Sequence, residues 1–416
     1  MRYLLINGEK KRIPPYPHHK DYIYRTQQFL KKRNNVALLF NIGIRKALRR
    51  VWSQWRYDYA IPTTMLIDPT SACNIRCKGC WANDYSKHSE LSFEKLDEIM
   101  TDAPKLGIGN ILMTGGEPLV RKTDILKLCR KHKLPFTLFT NGTLIDEPLA
   151  VEMEKLGNLN MLISIEGFRE ATDFRRGEGI FDKAIAAMDL LKKYNIGFGF
   201  SICYHSKNYE EVCSDEFLDF LREKGCWFGW MFNYLPIGQG ADLSLCLNAE
   251  QRSYVKQKVE KYIAKHSFTI IDFANNGHLL YGCVGAGNGF IHINANGDLE
   301  PCAFFHYSDV NINDMTLKEA LNSQFFKRFR KAGPFSDNHH RPCPMIDVPE
   351  VLQHLSEGTE VHSTHMPHSE SMQELAAKTK AIADKWKPVA DALYSKVSDE
   401  QKKRIKAYTR TGRFNH

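Results

Sequence analysis

Residues 63–80 read TTMLIDPTSACNIRCKGC, a short apolar run that leads directly into three cysteines. Five further β-rich runs follow along the chain, and helical stretches such as 91–107 and 181–194 lie between them. The further runs occupy 110–116, 135–142, 160–167, 196–204 and 227–238. Repeated alternation of strands and helices predicts a parallel sheet with right-handed crossovers, here an open, partial version of the eight-stranded barrel.

Polar or glycine-rich residues stand where four of these runs end. They are Gly115-Gly116-Glu117-Pro118, Thr140-Asn141-Gly142, Ser164-Ile165-Glu166-Gly167 and Ser201. In barrels of this kind the carboxyl ends of the strands and the loops after them form the active site. These strand ends are therefore the first candidates for a binding pocket.

The three cysteines have the spacing Cys73-x3-Cys77-x2-Cys80 on one loop after the first strand. Three thiolates on a short loop can ligate three irons of a cubane and leave the fourth iron to a small molecule. A zinc site usually takes four ligands from two Cys-x2-Cys halves, and a ferredoxin-type cluster takes four cysteines. The spacing therefore favours a catalytic cluster over zinc or electron transfer alone.

The cysteine loop, followed by Gly115-Gly116-Glu117-Pro118, resembles the radical S-adenosylmethionine (SAM) superfamily, and the similarity covers residues 62–240. The resemblance implies that Cys73, Cys77 and Cys80 ligate a 4Fe-4S cluster whose free iron binds SAM. It also implies that a low-potential electron donor, of the flavodoxin or ferredoxin type, reduces the cluster. SAM is then split into methionine and a 5′-deoxyadenosyl radical, which removes hydrogen from a substrate.

The resemblance assigns the strand ends to SAM. The glycine-rich segment is expected to bind its amino group. Glu166 is expected to bind the ribose hydroxyls, although relatives often carry Ser-x-Asp-Gly here, so the glutamate reaches one carbon further. The full set predicted to bind SAM is Gly115, Gly116, Glu117, Pro118, Asn141, Ser164, Glu166, Arg176 and Ser201.

Two of these assignments have stated alternatives. Arg176 is expected to hold a carboxylate, because a planar guanidinium binds both oxygens. Arg175 competes for that role, and either arginine is otherwise a surface charge. Asn141 either lines the cofactor pocket or caps the turn with Gly142.

A second group of cysteines lies in and after a glycine-rich segment that has the pattern of a β-hairpin around Asn296-Gly297. Cys283 and Cys302 stand on the two sides of that turn, and Cys343 follows in Arg-Pro-Cys-Pro. The segment resembles the auxiliary-cluster hairpin of SPASM/twitch domains, which often have more cysteines than this chain. The resemblance implies one auxiliary iron–sulfur cluster on these three residues.

The sequence does not identify the fourth ligand of that cluster. The candidates are Cys246, His306, His339 and His340, and the alternative is an open iron site that binds substrate. The alternative is that Cys283, Cys302 and Cys343 are buried core residues. That simpler role is expected for the cysteines inside the strand–helix pattern, which are Cys129, Cys203, Cys213 and Cys226.

These features divide the chain into four segments. We expect a basic helical extension at 1–61, a radical SAM partial barrel at 62–245, a SPASM/twitch-like auxiliary-cluster domain at 246–350 and a C-terminal helical tail at 351–416. Within the tail, an amphipathic helix at 369–408 is expected to break at Pro388. The predicted fold class is α/β: a partial (β/α)6 TIM-like barrel with a small C-terminal α+β iron–sulfur domain and helical extensions at both ends.

The positive charge is concentrated in the N-terminal extension. Residues 1–61 contain fourteen Lys and Arg against three Asp and Glu, whereas the whole chain carries a net charge of +9. Basic residues near an anionic bilayer contribute about 1 kcal/mol each, and Trp52 and Trp55 suit a membrane interface. The alternative is a helix that packs its apolar face on the barrel. The nearly neutral body argues against a nucleic-acid partner.

The remaining expectations concern location and substrate. No apolar run approaches the roughly 20 residues of a membrane-spanning helix, and no secretory signal is recognisable. We therefore expect a cytoplasmic protein, and the basic extension adds the hypothesis of peripheral contact with the inner face of the membrane. Segments 282–312, 341–352 and 362–364 are similar to a widespread group of bacterial radical enzymes. More distantly, they are similar to enzymes that join lipid tails.

The sequence thus predicts hydrogen abstraction from an unactivated C–H bond, with a lipid chain as the first substrate hypothesis. The alternative is a peptide substrate, as for enzymes that mature ribosomally made peptides. A non-catalytic iron–sulfur electron carrier is the third hypothesis, and it comes from a different class of protein.

Overall fold

The computed structural model describes most of the chain from residue 60 onwards and a few short pieces before it. The described residues are 3–6, 9–12, 48, 51–53, 55–56, 60–84, 89–237, 241–280, 282–358, 360–365, 369–400 and 402–403. Among the helices described there, none is long and apolar enough to cross a membrane.

The sequence predicts a purely helical extension at 1–61, but the described part of this segment also contains two strands. Strands β1 (Tyr3–Ile6) and β2 (Glu9–Arg12) form an antiparallel pair. Asn7-Gly8 stands between the paired residues Ile6 and Glu9, and this dipeptide is the strongest short signal for a hairpin. Helical periodicity further along the segment had hidden that signal.

Four apolar residues near the end of this segment are exposed. The exposed fractions of Leu48, Val51, Trp52 and Trp55 are 65%, 55%, 54% and 76%. The alternative in which this apolar face packs on the barrel therefore does not hold for these four residues. The basic residues Arg45, Lys46, Arg49 and Arg50 lie outside the described part of the chain.

A nine-stranded sheet forms the centre of the described structure. Its order is β11-β10-β3-β4-β5-β6-β7-β8-β9, and every neighbouring pair is parallel except β10 with β11. The strands are β3 (Thr64–Ile67), β4 (Asn110–Met113), β5 (Phe136–Thr140), β6 (Leu159–Ser164), β7 (Phe198–Tyr204), β8 (Phe228–Asn233), β9 (Thr269–Asp272), β10 (Phe290–Ile293) and β11 (Leu299–Glu300). The six predicted strands are β3 to β8, and the predicted partial barrel is confirmed.

The segment predicted as the second domain contributes strands to both edges of this sheet. Strand β9 pairs with β8, and β10 pairs with β3, where Ile293 lies opposite Ile67. The sequence predicted β10 only as part of a local hairpin and did not predict β9, because pairing with a distant strand leaves no local pattern. Because β3 leads into Cys73 and β10 belongs to the hairpin of Cys283 and Cys302, this pairing brings the two cysteine segments side by side.

Helices cover the outer face of the sheet and follow its strands in turn. The helices after strands β3 to β7 are α1 (Phe93–Leu106), α2 (Lys122–Lys131), α3 (Glu147–Leu156), α4 (Arg169–Arg176), α5 (Ile180–Lys193), α6 (Tyr209–Val212) and α7 (Asp215–Lys224). Side chains of Ser92, Asp146 and Ser214 cap α1, α3 and α7 by accepting hydrogen bonds from backbone N–H groups. The apolar faces of these helices pack on Met65, Ile111 and other outward side chains of the strands.

The second half of the chain adds shorter elements and one long helix. They are α8 (Ala249–His266), α9 (Gly277–Leu280), α10 (Leu317–Ala320), α11 (Gln324–Ala332), α12 (Leu352–Leu355) and α13 (Met372–Ser395), with a small antiparallel pair of β12 (Tyr307–Ser308) and β13 (His362–Ser363). The predicted break at Pro388 is wrong, because α13 continues through it. Trp386 and Ala390 are buried against Ala249 on either side of the proline, and this packing offsets the missing hydrogen bond.

Candidate functional site

A cavity of about 460 Å³ lies inside the curved sheet, and both groups of cysteines line it. The cysteines are Cys73, Cys77, Cys80, Cys283, Cys302 and Cys343. Of the residues predicted to bind SAM, the cavity wall includes Gly115, Gly116, Glu117, Asn141, Ser164, Arg176 and Ser201. Pro118 and Glu166 are not among the described residues that form the wall.

The glycines after β4 allow the cysteine loop to approach closely. The N–H of Gly116 donates to the carbonyl of Thr70 at 3.0 Å, and the N–H of Glu117 donates to the carbonyl of Ala72 at 2.8 Å. A Cβ atom on Gly116 would lie 2.1 Å from the Ala72 oxygen, so no larger residue fits without displacing the loop. These residues therefore hold the start of the cysteine loop against the second barrel strand.

The Glu117 side chain organises the site from within the fold. Its Oε1 accepts hydrogen bonds from the Leu119 N–H at 3.0 Å and the Thr140 hydroxyl at 2.8 Å, and its Oε2 accepts from the Asn141 N–H at 2.8 Å. Burial raises the pKa of this carboxyl, although these bonds act in the opposite direction. The carboxylate therefore positions the end of β5, while the adjoining glycines form the cavity wall.

Asn141 connects that strand end to the cysteine loop. Its Nδ2 donates to Oδ1 of Asn74 at 2.9 Å, and its Oδ1 accepts from the Thr143 N–H at 2.9 Å. Asn74 also donates to the Thr143 hydroxyl at 2.7 Å. Of the two predicted alternatives, Asn141 lines the cavity, and its side chain also bonds within the turn. Asn74 and Thr143 had no sequence signal, because their role depends on contacts between distant segments.

Glu166 forms hydrogen bonds with both candidate arginines and with the backbone of β7. Its Oε1 accepts from Arg175 at 2.8 Å and from two nitrogens of Arg176 at 2.9 and 2.6 Å. Its Oε2 accepts from the Cys203 N–H at 2.8 Å. The side chain is fully buried. The extra carbon relative to aspartate lets this carboxylate reach both guanidinium groups, and the arrangement favours a positioning role.

Both arginines lie beside the first cysteine loop. A guanidinium nitrogen of Arg176 is 3.8 Å from Sγ of Cys77, and the carbonyl of Arg175 accepts a hydrogen bond from the Lys78 N–H at 2.8 Å. Nε of Arg175 is buried without a hydrogen-bond partner in the described structure, and the residue lines the cavity. Arg175 therefore has a donor left for a ligand, which makes it the better candidate for binding an anionic group.

The donor chemistry of the first loop fits an iron–sulfur cluster. Cys73 is exposed and Cys77 and Cys80 are partly buried, so a metal can reach all three thiols and displace their protons. Two guanidinium groups nearby suit the negative charge of several thiolates. Among the described residues, no three His, Cys, Asp or Glu side chains converge as a site for a metal ion. A cubane differs from such a site because each thiolate binds a separate iron.

The second group of cysteines also opens onto the cavity. The N–H of Gly285 is 3.5 Å from Sγ of Cys283, and the N–H of Phe304 is 3.5 Å from Sγ of Cys302. Hydrogen bonds to sulfur are a feature of iron–sulfur sites. Burial raises the pKa of Cys343 to about 12. These positions argue against three plain core cysteines.

The remaining cysteines agree with the predicted core positions except for Cys203. Cys129, Cys213 and Cys226 are buried, as expected of core residues. Cys203 is only partly buried and lines the cavity, which corrects its assignment to the core. The described cavity wall includes none of the candidate fourth ligands, so this ligand stays unassigned. Those candidates are Cys246, His306, His339 and His340.

An aromatic wall joins the two cysteine groups. Trp81 follows Cys80 directly, and its ring centroid is 5.7 Å from that of Phe304, two residues after Cys302. The ring of Phe232 lies 5.6 Å from Phe304. The charged residues on the described wall are confined to Glu117, Arg175 and Arg176. The aromatic wall consists of Trp81, Phe139, Trp230, Phe232, Tyr234, Phe273, Phe290 and Phe304.

Comparison with protein families gives two matches. Residues 67–219 match the model of the Radical SAM superfamily, and residues 283–345 match that of SPASM, an iron-sulfur cluster-binding domain. The first match includes the first cysteine loop and the strand ends described above. The second begins at Cys283 and includes Cys343.

Comparison with individual proteins points in the same direction. The chain is 24% identical over 300 residues to the AdoMet-dependent heme synthase of Methanosarcina barkeri, an alignment that covers 65% of this chain and 85% of that protein. It is also 24% identical over 296 residues to the PqqA peptide cyclase of Gluconobacter oxydans, with coverage of 65% and 79%. Neither is named as a lipid enzyme, so the predicted link to enzymes that couple lipid tails is unsupported.

A solved structure supports the fold. The crystal structure of Streptococcus suis SuiB bound to its precursor peptide SuiA aligns with a TM-score of 0.56 and 19% identity, covering 67% of this chain and 69% of that one. The cofactors that these findings support are a 4Fe-4S cluster, SAM and an auxiliary iron–sulfur cluster. Because the sequence matches span the barrel and the auxiliary-cluster segment, the chain belongs to the radical SAM superfamily and is a radical SAM enzyme with a C-terminal SPASM domain.

Proposed function

We propose that this radical SAM enzyme modifies a peptide by abstracting hydrogen from a side chain held in the cavity between its two cysteine groups. The observation that carries the proposal is the single cavity, which both cysteine groups line and the aromatic wall joins. A substrate in that space lies within reach of both cofactors.

The residues of the first region would hold SAM and its cluster. Cys73, Cys77 and Cys80 would ligate the cluster, and the glycines after β4 would face the SAM amino group. Arg175 would bind the SAM carboxylate through its remaining donor, while Glu166 holds both arginines in place. When bound and reduced, the cluster would supply the one electron that splits SAM into methionine and the 5′-deoxyadenosyl radical, and this radical would remove hydrogen from the substrate. The electron donor, of the flavodoxin or ferredoxin type, stays a prediction.

The lining of the cavity favours an apolar side chain as substrate. The cavity volume of about 460 Å³ is within the range typical of sites for small molecules. The wall away from the first loop is mostly aromatic and apolar, with no charged residue among those described. An apolar or aromatic side chain would be complementary to it.

The relatives favour a peptide over a lipid, and the lining favours a peptide over a haem precursor. PqqA peptide cyclase is named for a peptide, and SuiB was solved with one. A haem precursor carries several carboxylates, which call for basic partners. The basic residues on the described wall are Arg175 and Arg176, both beside the first loop and both paired with Glu166.

Deuterium transfer tests the proposal. A strain that lacks the gene is grown in heavy water, and its extract is separated into peptide, tetrapyrrole and lipid fractions. Each fraction is incubated in ordinary water with the reconstituted enzyme, SAM and dithionite. We expect deuterium in 5′-deoxyadenosine only with the peptide fraction, and its loss after protease treatment. Label from the lipid or tetrapyrrole fraction, or from none of the three, contradicts a peptide substrate.

A further inference from the structure

A buried ion pair lies directly behind Cys343. Arg252 on α8 and Asp347 on the loop after Cys343 are 3% and 0% exposed, and their closest nitrogen–oxygen distance is 2.5 Å. Removing two charges from water is costly unless the pair is well placed and fully hydrogen-bonded. Both side chains also make further hydrogen bonds to the segments around them.

Asp347 holds the backbone of Cys343. Its Oδ2 accepts a hydrogen bond from the Cys343 N–H at 3.0 Å, and its carbonyl accepts two from the Arg341 guanidinium at 3.1 and 2.6 Å. The loop from 341 to 347 is thus closed on itself around the cysteine.

Arg252 is fixed on every side. Its Nε donates to Oδ1 of Asn275 at 3.2 Å, and a terminal nitrogen donates to the carbonyl of Ala274 at 2.7 Å. The indole of Trp386 on α13 stacks over the guanidinium at 4.2 Å, and its Nε1 donates to the carbonyl of His340 at 2.8 Å. The C-terminal helix therefore covers both the ion pair and the start of the Cys343 loop.

We propose that the Arg252–Asp347 pair positions Cys343 and sets the reduction potential of the auxiliary cluster. The inference rests on the proposed assignment of Cys343 as a ligand. Reduction adds one electron, and hence negative charge, to the cluster. A carboxylate beside Cys343 repels the added negative charge and so lowers the reduction potential. The guanidinium of Arg252 neutralises that carboxylate and so removes the repulsion.

Single substitutions should shift the potential in opposite directions. Arg252→Gln leaves the Asp347 charge uncompensated and should lower the ratio of reduced to oxidised auxiliary cluster at fixed potential about tenfold, which is about 59 mV for one electron. Asp347→Asn leaves the guanidinium and should raise that ratio by a similar factor. Redox titration followed by electron paramagnetic resonance measures both, in a protein whose Cys73, Cys77 and Cys80 are replaced by Ala.

A double variant and a matched control complete the design. Arg252→Gln with Asp347→Asn removes both charges without leaving one buried and unpaired, so the protein should fold. At a fixed potential, its ratio of reduced to oxidised auxiliary cluster should be within threefold of the wild-type ratio. Lys256→Met removes another buried charge one turn along α8, where Lys256 pairs with Glu260. Its potential should stay at the wild-type value.

The outcomes separate this inference from the proposed function. Shifts in the same direction, or no shift in variants that retain auxiliary iron, overturn the role of the pair. A double variant that keeps the full Arg252→Gln shift also overturns it. Unchanged iron content in Cys343→Ala overturns the ligand assignment itself. Loss of auxiliary iron in both single variants, with its retention in the double variant, supports the positioning role.

Discussion

The two cysteine groups differ in how the chain builds them. The first occupies one loop, and backbone hydrogen bonds to Gly116 and Glu117 together with the amides of Asn74 and Asn141 hold it. The second comes from two distant segments, and the Arg252–Asp347 ion pair holds its last member. A short loop needs mainly local contacts, whereas segments far apart in sequence need strong long-range ones. The residues of the first site are therefore close together in sequence, whereas those of the second are close together only in the folded structure.

A buried charged network lies where the two regions meet. Nε2 of His292 on β10 lies 3.0 Å from Oδ1 of Asp68, which follows β3, and Nδ1 of His292 forms a hydrogen bond with Oε2 of Glu300 on β11 at 2.6 Å. Asp68 precedes the first cysteine loop, and Glu300 precedes Cys302. All three side chains are fully buried. The network therefore connects the strand before the first cysteine loop to the hairpin that contains Cys283 and Cys302.

The largest expected effect comes from the first group. Replacing Cys73, Cys77 and Cys80 by Ala should abolish SAM cleavage and remove about half of the iron, because the SAM-binding cluster loses all its protein ligands. Iron analysis and chromatography of 5′-deoxyadenosine measure the two effects. The retained spectrum of the auxiliary cluster is the control for folding. Cleavage of SAM by the triple variant contradicts the assignment.

The second group should show a more selective loss. Replacing Cys283, Cys302 and Cys343 by Ala should remove the other half of the iron and abolish product, while uncoupled SAM cleavage persists. The reason is that the first loop depends on contacts with β4 and β5 rather than on these cysteines. Substituting the core residue Cys226 by Ala should leave both spectra unchanged. Unaltered iron in the triple variant identifies all three as core residues.

The charged network between the regions should affect stability rather than chemistry. Burial lowers the pKa of His292, but Asp68 and Glu300 outweigh it and raise the pKa to about 10. His292→Leu leaves two buried carboxylates facing each other, so unfolding should become easier by about 3–5 kcal/mol. Chemical denaturation measures the loss. His354→Gln, which breaks an exposed pair with Glu357, is the control and should change stability by less than about 1 kcal/mol.

The same network predicts a dependence on pH. A histidine whose folded pKa is raised stabilises the fold fully below its unfolded pKa of about 6.5, and this contribution is lost as the pH rises through about 10. For Glu300, burial opposes ionisation, but His306 and His292 lower the pKa to about 2, so its contribution is lost as the pH falls towards that value. Wild-type stability should therefore decline above pH 6.5. If the stability of His292→Leu declines above pH 6.5 as steeply as that of the wild type, deprotonation of His292 is not the cause.

The sequence was sufficient for what depends on local pattern. It predicted the six barrel strands, and it singled out both cysteine groups and the strand ends that line the cavity. It missed the hydrogen bonds of Glu166 with Arg175 and the Arg252–Asp347 pair, because nothing in a local pattern states which distant charges meet. A histidine between two isoleucines in β10 was a usable signal, since a buried imidazole needs polar partners.

The smallest expected effect concerns the N-terminal extension, for which membrane contact stays a prediction. Leu48, Val51, Trp52 and Trp55 are exposed and follow helical spacing, and the basic residues in the same segment would suit an anionic surface. The protein should bind vesicles of anionic lipid at low salt and detach as salt rises, because screening weakens the attraction. Cosedimentation measures the bound fraction.

A pair of variants separates the apolar from the electrostatic contribution. Trp52→Ser with Trp55→Ser should weaken binding at every salt concentration, whereas Arg45, Lys46, Arg49 and Arg50 changed to Gln should remove mainly the salt-sensitive part. SAM cleavage in solution should persist in both, because the described cavity wall begins at Thr63, beyond this segment. A wild-type protein that ignores anionic vesicles at low salt excludes the membrane role. The charge on residues 1–61 would then have no part in placing the enzyme on a membrane.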